Sequence, residues 1–386
     1  MTRLHWVCLM GALCGFLMGA ESWMAPQTPN IRASDFGLEG LRAEDCGRCH
    51  TAIYDEWKQS THAAAWVDPQ FQAELHKDPD VAWMCLNCHT PVGNQQAEVV
   101  TQSEVIRRPA TRLNTEFSTA YREEGVSCLG CHWRKDGIAA PHRDVDAPHA
   151  VVYAPDLLND SACTDCHQAM ARLEDALVCH FDTGGEKERA GVQKSCSACH
   201  MPSVERPVVG GGKSRKGGAH TWPGSGLGKG LWPGPLGLNS LAVHMPMLDA
   251  SGRLSFTLHN AKAGHKLPTG DPERFIRITA ETRDAKGRIV EEHTWRIGQV
   301  WVWSPVAKQL SDNRLDVDER RQFEWVPSRP ASSVSLTIEH VRMSQDNLDY
   351  HIGLVAKGHP GPEIERLRRY PTSRVLFQRE LTPPTR

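Results

Sequence analysis

Apolar and polar residues alternate with a period of two in four segments of the C-terminal third of the chain. These segments are residues 254–258, 275–279, 323–326 and 334–338. Such alternation is typical of strands that bury one face and expose the other. The pattern therefore predicts a small antiparallel β-sandwich over residues 248–386.

A different pattern precedes this part. Residues 51–65 read as a helix, with Ile53, Tyr54 and Trp57 on one side. Residues 208–237 contain eleven glycines and several prolines, and these residue types interrupt regular structure. We therefore predict an irregular connector over residues 208–247, which also carries a basic cluster. The cluster comprises Lys213, Arg215 and Lys216.

The N-terminal segment has the layout of a secretory signal. Arg3 precedes an apolar run over residues 6–18, and the small residues Gly19 and Ala20 follow it. We predict a signal peptide over residues 1–20 and a mature, exported chain in the periplasm, with the outer cell surface as a further destination. An uncleaved anchor is the alternative. No later stretch of 18 uncharged apolar residues occurs, so we expect no integral membrane segment after cleavage.

Length and charge narrow the class of protein. The chain has 386 residues, enough for two or three domains. Its 44 Lys and Arg nearly balance 46 Asp and Glu, which gives a net charge of −2. Because no long basic run occurs, the sequence argues against a nucleic-acid partner.

The thirteen cysteines and nineteen histidines give the strongest indication of the chemistry of this protein. Ten of the cysteines form five copies of C-x-x-C-H, the attachment motif of haem c. The two thiols of each copy bond covalently to the haem, and the histidine after them binds the iron as proximal ligand. The cysteines are Cys46, Cys49, Cys85, Cys88, Cys128, Cys131, Cys163, Cys166, Cys196 and Cys199, and the proximal histidines are His50, His89, His132, His167 and His200.

Other uses of paired cysteines explain this pattern less well. Disulfides and zinc sites give no reason for a histidine after every pair, and a thioredoxin-like redox motif would not recur five times. We therefore predict five covalently attached haem c groups. The motifs occupy only 155 residues, so the haems must form part of the core and lie close together. The overall prediction is an α+β fold, with a mostly helical, loop-rich pentahaem domain over residues 21–207.

The sixth ligand of each iron decides its chemistry, because a second histidine closes the haem and an open position binds small molecules. In a continuous helix over residues 51–65, His62 would lie about 18 Å beyond His50 and could ligate only a neighbouring haem. One of His142 and His149 is expected to ligate, with His149 preferred. The distal candidates are His62, His149, His142, His220, His265 and His244.

Several segments resemble a known family. The run from Cys46 to Ala65, C-x-x-C-H-x-x-x-Y-x-x-W-x-x-S-x-H-x-x-A, resembles the opening motif of cytochromes related to cytochrome c-554 and hydroxylamine oxidoreductase. EGVSC at 124–128, CHMP at 199–202 and HTWPG at 220–224 are similar to the same group. N-x-x-x-G-H-x-x-P-T-G at 260–270, with Arg274, resembles a C-terminal β-domain found in some members.

The resemblance implies a helical haem stack in which His62 is a distal ligand on a neighbouring haem. Two departures argue against an enzyme. Nitrite reductases with five haems use a lysine in place of one proximal histidine, whereas all five motifs here end in histidine. No counterpart of the cross-linked haem of hydroxylamine oxidation is evident either.

Three hypotheses follow. The first is an electron-transfer protein that passes single electrons between periplasmic or membrane-bound redox proteins through a bis-histidine haem array. The alternative is an oxidoreductase acting on nitrite, hydroxylamine or tetrathionate at one open haem, to which the basic cluster and Lys229 would attract anions. The third makes the β-domain a docking module for a partner or for a second copy of the chain, giving a homo-oligomer.

Overall fold

The computed structural model describes residues 28–102, 105–143, 147–173, 177–229, 237, 239–284, 286–303, 306–329 and 332–384. The signal peptide predicted over residues 1–20 lies outside them. None of the helices in these ranges is long and apolar enough to cross a membrane.

The N-terminal half combines short helices, short strands and loops. Its helices are α1 (Ala43–Gly47), α2 (Thr51–Trp57), α3 (Pro69–Leu75), α4 (Ala82–His89), α5 (Thr119–Arg122), α6 (Cys128–His132), α7 (Ser161–His167), α8 (Thr183–Arg189) and α9 (Ser197–His200). Its strands are β1 (Glu98–Val100), β2 (Thr111–Leu113), β3 (Trp133–Arg134), β4 (Gly137–Ala140), β5 (Val151–Tyr153), β6 (Gln168–Arg172), β7 (Leu177–Asp182), β8 (Ser203–Pro207) and β9 (Ser214–Gly218).

This half is loop-rich, as predicted, but it is not mostly helical. The longest of the helices given above has eight residues, and small sheets of two or three strands lie between them. The physical reason is the density of motifs, because five motifs within 155 residues leave little chain for long helices.

The C-terminal half is built on two antiparallel sheets. Its strands are β10 (Leu241–Leu248), β11 (Leu254–Asn260), β12 (Phe275–Arg283), β13 (Ile289–Val302), β14 (Lys308–Asp312), β15 (Arg320–Trp325), β16 (Ser333–Val341) and β17 (Ser373–Leu381), and helices α10 (Gln345–Ala356) and α11 (Ile364–Arg368) lie between the last two strands. One sheet has the order β10-β11-β15, and the other has the order β14-β13-β12-β16-β17.

The two sheets share one hydrophobic core. Leu254 and Phe256 of the first sheet join Ile276, Ile278 and Leu336 of the second in one buried cluster. Burying each of these side chains contributes about 2 kcal/mol to folding. All four segments that alternate in the sequence fall on strands, with Val326 one residue past the end of β15, and the alternation along β12 is complete over its nine residues.

Two local predictions are corrected. The connector predicted over residues 208–247 contains regular structure, because β9 lies within it and pairs with β8 just before it, and β10 begins at Leu241. The helix predicted over residues 51–65 ends at Trp57 and continues as turns. Tertiary contacts replace helical ones there, since Val126 N donates to His62 O (3.0 Å) and Trp57 Nε1 donates to Val126 O (2.9 Å).

The two halves are joined by buried polar and apolar contacts. Arg314 of the C-terminal half donates from Nη1 to Glu186 Oε1 on α8 (2.5 Å), and both side chains are buried. The imidazole of His351 on α10 pairs with Glu74 on α3 (Nε2 to Oε1, 2.8 Å). Ala73 packs with Met343, Leu348, Leu367 and Tyr370 in one apolar cluster. These contacts pack the C-terminal half against the motif-bearing half.

Candidate haem centre

Short helices end at, or lie beside, the five histidines predicted as proximal ligands, which are called the proximal histidines. Helices α4, α6, α7 and α9 each end at the histidine of a C-x-x-C-H motif, and His50 lies between α1 and α2. One helical turn brings both thiols of a motif near its histidine; in the first motif, His50 N donates to Cys46 O (2.8 Å).

Backbone carbonyls orient four proximal rings. The Nδ1 atoms of His50, His89, His132 and His200 lie 2.8, 2.9, 2.8 and 2.7 Å from the carbonyl oxygens of Val208, Ala65, Ala139 and Pro223. Because a carbonyl oxygen only accepts hydrogen bonds, each Nδ1 must carry the proton. The lone pair of each ring is therefore on Nε2, the arrangement typical of a metal-binding histidine.

Four proximal rings face a second histidine ring. The centroid distances are 6.3 Å for His50 and His149, 6.2 Å for His167 and His62, 6.1 Å for His132 and His220, and 6.4 Å for His200 and His265. An imidazole nitrogen lies about 1 Å from its ring centroid, and a metal–imidazole bond is about 2 Å long. Two imidazoles on opposite sides of one metal ion therefore have centroids about 6 Å apart, close to all four distances.

Three of the four facing histidines, all except His62, have Nδ1 beside a carbonyl oxygen, as four of the proximal rings do. Nδ1 of His149, His220 and His265 lies 3.3, 3.0 and 2.9 Å from the carbonyl oxygens of Ala150, Gly218 and Lys266. These rings also present Nε2 as the free lone pair. The set thus offers paired nitrogen donors that fit the axial positions of haem iron.

Burial keeps several of these rings neutral. Burial lowers the pKa of His62 to about 3 and the pKa values of His167 and His220 to about 4. Neutral imidazole is the form that ligates a metal. The burial of these rings therefore favours coordination over protonation.

His62 and His220 are held by further contacts. Gly125 lies directly against the backbone of His62, where an added Cβ would come within 2.7 Å of His62 O. Trp222 packs edge-on against both rings, with centroid distances of 4.5 Å to His62 and 5.3 Å to His220. Glu56 accepts a hydrogen bond from His220 N (2.8 Å).

The same carboxylate is held by Arg206, whose Nε and Nη2 donate to it over 2.6 and 3.0 Å. Glu56, Arg206 and Trp222 were not identified from the sequence as site residues. Trp222 could have been identified from the HTWPG segment at 220–224, which resembles the related cytochromes.

The other two distal candidates are placed differently. His142 is exposed, and no proximal ring faces it in the described part of the chain. His244 lies on β10, where its Nε2 is 3.4 Å from Nδ1 of His259. Neither is brought to a C-x-x-C-H histidine.

The environment of His89 is unlike that of the other proximal rings. In the part of the chain that the structure describes, Phe71 is the ring packed against it, stacked at 3.7 Å with planes 5° apart. Nearby, buried Asp68 forms an ion pair with half-buried Lys229. Lys213 and Lys216 of the basic cluster are exposed by comparison. Burial lowers the pKa of Lys229, and Asp68 opposes that effect.

More buried polar groups lie around that ion pair. Arg342 donates to Leu227 O and Gly228 O (both 2.8 Å) and to the hydroxyl of Tyr370 (2.5 Å). Nε of Arg274 is buried without a hydrogen-bond partner. Of these groups, the sequence pointed only to Lys229 and Arg274.

Cysteines of different motifs meet in the interior. The thiol of Cys46 contacts that of Cys128, Cys88 contacts Cys166, and Cys163 contacts Cys196. These contacts bring the first and third, second and fourth, and fourth and fifth motifs together. Thiols, neutral imidazoles and apolar side chains are the donor set and lining that haem c requires.

Comparison with known proteins agrees with this chemistry. Residues 45–133 match the family model described as cytochrome c554 and c-prime. No curated protein gives a significant match. Among solved structures, a penta-heme cytochrome c552 from Thermochromatium tepidum aligns with a TM-score of 0.55 and 17% identity, over 88% of this chain and 98% of that chain. At this identity the likeness shows a common fold. The five C-x-x-C-H motifs and the family match over residues 45–133 support a multihaem c-type cytochrome, a redox protein with covalently bound haem c.

Proposed function

We propose that this protein is an exported cytochrome that carries five haem c groups and transfers single electrons between periplasmic or membrane-bound redox proteins. The observation that carries the proposal is the set of four facing histidine pairs, with centroids 6.1 to 6.4 Å apart. Two histidines close an iron to other ligands, and a closed haem exchanges electrons without binding substrate.

In this proposal His62 is the distal ligand of the fourth haem, His149 of the first, His220 of the third and His265 of the fifth. The thiol contacts between motifs support an electron route that differs from the order along the chain. The first haem would lie next to the third, and the fourth next to the second and fifth. Burial of Cys131 with Cys166 nearby supports a contact between the third and fourth haems. The route would run first, third, fourth, fifth, with the second haem as a branch.

The domain organisation is part of the proposal. A signal peptide over residues 1–20 would direct the chain to the periplasm, where haem c is attached. Residues 21–207 would hold the haems, and the two-sheet half, starting at Leu241, would complete the fifth haem through His265.

Low-temperature EPR of the purified, oxidised protein tests the array, with haem content measured first. The expected result is five haems per chain, four of them low-spin, and overlapping one-electron steps in a potentiometric titration. Fewer than four low-spin haems, or haems that fail to titrate, would contradict the proposal.

A second function has one specific observation in its favour. A second imidazole faces each of the other four proximal rings, whereas His89 is packed against Phe71. Half-buried Lys229 lies near His89, and Arg274 lies near Lys229 and His167. An open second haem lined by these cations would suit nitrite, hydroxylamine or tetrathionate as substrate.

Steady-state turnover of these three compounds tests the second function. We expect Lys229→Met to lower kcat/KM at least tenfold while the four low-spin EPR signals persist. Lys213→Met, at an exposed position of the basic cluster, is the matched control and should retain turnover. Wild-type rates no higher than those of free haem would exclude this function.

A further inference from the structure

Arg274, directly before β12, carries a positive charge that no acidic side chain of the described chain neutralises. Its Nε is buried without a hydrogen-bond partner. Among the described residues, the guanidinium forms no ion pair and makes one long hydrogen bond, from Nη1 to Thr269 O (3.5 Å). Asp271 lies nearby, but burial raises the pKa of its carboxyl and so disfavours the ionised form. A buried donor on an unpaired cation is unfavourable, so this position requires an anion that the polypeptide does not supply.

The guanidinium lies against the segment that follows the fourth C-x-x-C-H motif. Gly270 has a positive φ of 88°, and a Cβ there would meet Nη1 of Arg274 at 2.9 Å and the Phe181 ring at 3.3 Å. The guanidinium carbon is 6.0 Å from the centroid of that ring. Phe181 on β7 pairs with Ala169 on β6, and β6 begins directly after His167. The contacts therefore place Arg274 beside the segment that carries His167.

The charge of Arg274 also acts on the His167 ring. Burial lowers the pKa of His167 to about 4, and Arg274 is the nearby charge that lowers it most. The ring of His167 faces that of His62, the pair assigned above to the fourth haem. A haem carries two propionate side chains, and their carboxylates are anions at neutral pH. The fourth haem therefore brings the kind of anion that Arg274 lacks.

We propose that Arg274 binds a propionate of the fourth haem. A guanidinium holds a carboxylate through two parallel hydrogen bonds, and the buried Nε with its neighbouring Nη can donate both. The inference rests on the electron-transfer proposal, which places His62 and His167 on one iron. The C-terminal half would then contact two haems, the fifth through His265 and the fourth through Arg274.

This contact would adjust the potential of the haem at which the proposed route branches. In that route the fourth haem lies next to the second, third and fifth. Oxidised iron carries one more positive charge than reduced iron, so an ionised propionate favours the oxidised form. A cation bound to the propionate weakens this preference. Arg274 would therefore raise the midpoint potential of the fourth haem.

Potentiometric titration of the holoprotein, followed by EPR, tests the effect on this potential. The low-spin signal that is lost in His62→Ala identifies the fourth haem. Arg274→Leu should lower the reduced-to-oxidised ratio of that haem about tenfold at a fixed potential, a shift of about 59 mV for one electron. Arg274→Lys keeps the charge and should lower the ratio less than about threefold. Arg277→Leu, three residues along, breaks a pair with Glu339 and should leave the ratio unchanged.

Infrared spectroscopy identifies the anion. The holoprotein is prepared with haem that carries ¹³C in the propionate carboxyl groups, and reduced-minus-oxidised difference spectra are recorded. One labelled carboxylate band should shift in Arg274→Leu and stay in place in Arg277→Leu. Unchanged haem absorbance shows that each variant is folded.

The outcomes separate this inference from the electron-transfer proposal. Four low-spin signals in the wild type, with the potential and the labelled bands unchanged in Arg274→Leu, would overturn the propionate site alone. Fewer low-spin signals in the wild type would contradict the haem assignment on which it rests. A wild-type potential that responds to added nitrite, with a response lost in Arg274→Leu and labelled bands unchanged, would overturn the inference by assigning Arg274 to a free anion.

Discussion

The rings of His200 and His265 lie with centroids 6.4 Å apart and planes only 15° apart, although they belong to different halves of the molecule. His200 ends helix α9 in the last C-x-x-C-H motif, and His265 lies in the loop between β11 and β12. The half without C-x-x-C-H motifs therefore provides the ring that faces His200. Its position depends on contacts such as Arg314 with Glu186 and Thr269 with Glu186.

Replacing His265 should change one haem. We expect His265→Met to raise the midpoint potential of one haem by on the order of 100 mV, because thioether ligation favours the reduced iron. Potentiometric titration with EPR at each step measures this change. His142→Met is the control, since His142 is exposed, and its titration should match the wild type. An unchanged titration of His265→Met would contradict the assignment.

Gly125 should tolerate no side chain. It has a positive φ of 60°, and a Cβ there would meet His62 O at 2.7 Å and Ala65 N at 2.9 Å. We expect Gly125→Ala to lower the free energy of unfolding by about 3 kcal/mol through backbone strain and this clash. Denaturant titration followed by haem absorbance measures the loss.

The control variant Gly252→Ala distinguishes the cost of backbone strain from the cost of a steric clash. Gly252 has a positive φ of 81°, but no atom lies within 4 Å of its added Cβ. Gly252→Ala should therefore lower the free energy of unfolding by only about 1 kcal/mol. Equal losses in the two variants would show that packing against His62 is unimportant.

The pair of Glu56 and Arg206 should stabilise the part that holds His220. Arg206 is largely buried and donates twice to Glu56, so Glu56→Gln leaves a buried charge without its partner. We expect a loss of about 3 kcal/mol in the free energy of unfolding. Asp55→Asn breaks the exposed pair with Lys58 on the same helix and should leave stability unchanged. Denaturant titration of both variants side by side decides the question.

Glu124 should make stability depend on pH. Burial raises its pKa to about 7, although Ala43 N and Arg42 donate to the carboxylate. The folded state therefore binds the proton more tightly than the unfolded chain, whose glutamate has a pKa of about 4.3. Stability from this group is complete below about pH 4 and is lost as the pH rises to 7, by about 3 kcal/mol.

The measurement is the free energy of unfolding between pH 4 and 8. Glu124→Gln should remove the contribution of Glu124 to the slope, because glutamine does not titrate, while Glu273, whose pKa burial raises to about 8, continues to contribute. Glu123→Gln, at the exposed neighbouring position, should keep the wild-type curve. A wild-type slope that survives in Glu124→Gln would assign the pH dependence to another group.

Local sequence patterns determined the chemistry of this protein and much of its C-terminal half. C-x-x-C-H is a contiguous motif whose residues share one helical turn, so it could be recognised without tertiary information. Alternation along 254–258 and 275–279 predicted strands because one face of each sheet is buried. The sequence pattern did not predict the other four strands of this half, because exposed and buried residues do not alternate regularly along them. These strands are β10, β13, β14 and β17.

Only the tertiary structure decided which histidines meet. His62, His149, His220 and His265 were candidates among many, and nothing in their spacing shows which proximal ring each one faces. Each pair joins residues that are far apart in sequence, so it depends on the tertiary fold. The contact of Gly125 with the backbone of His62 is one example of such a long-range contact. The same is true of Phe71 against His89, a contact made by residues with no local signature. Local structure such as a haem-attachment motif or a strand depends on neighbouring residues, so the sequence pattern predicts it. The pairing of two distant side chains depends on how the whole chain packs.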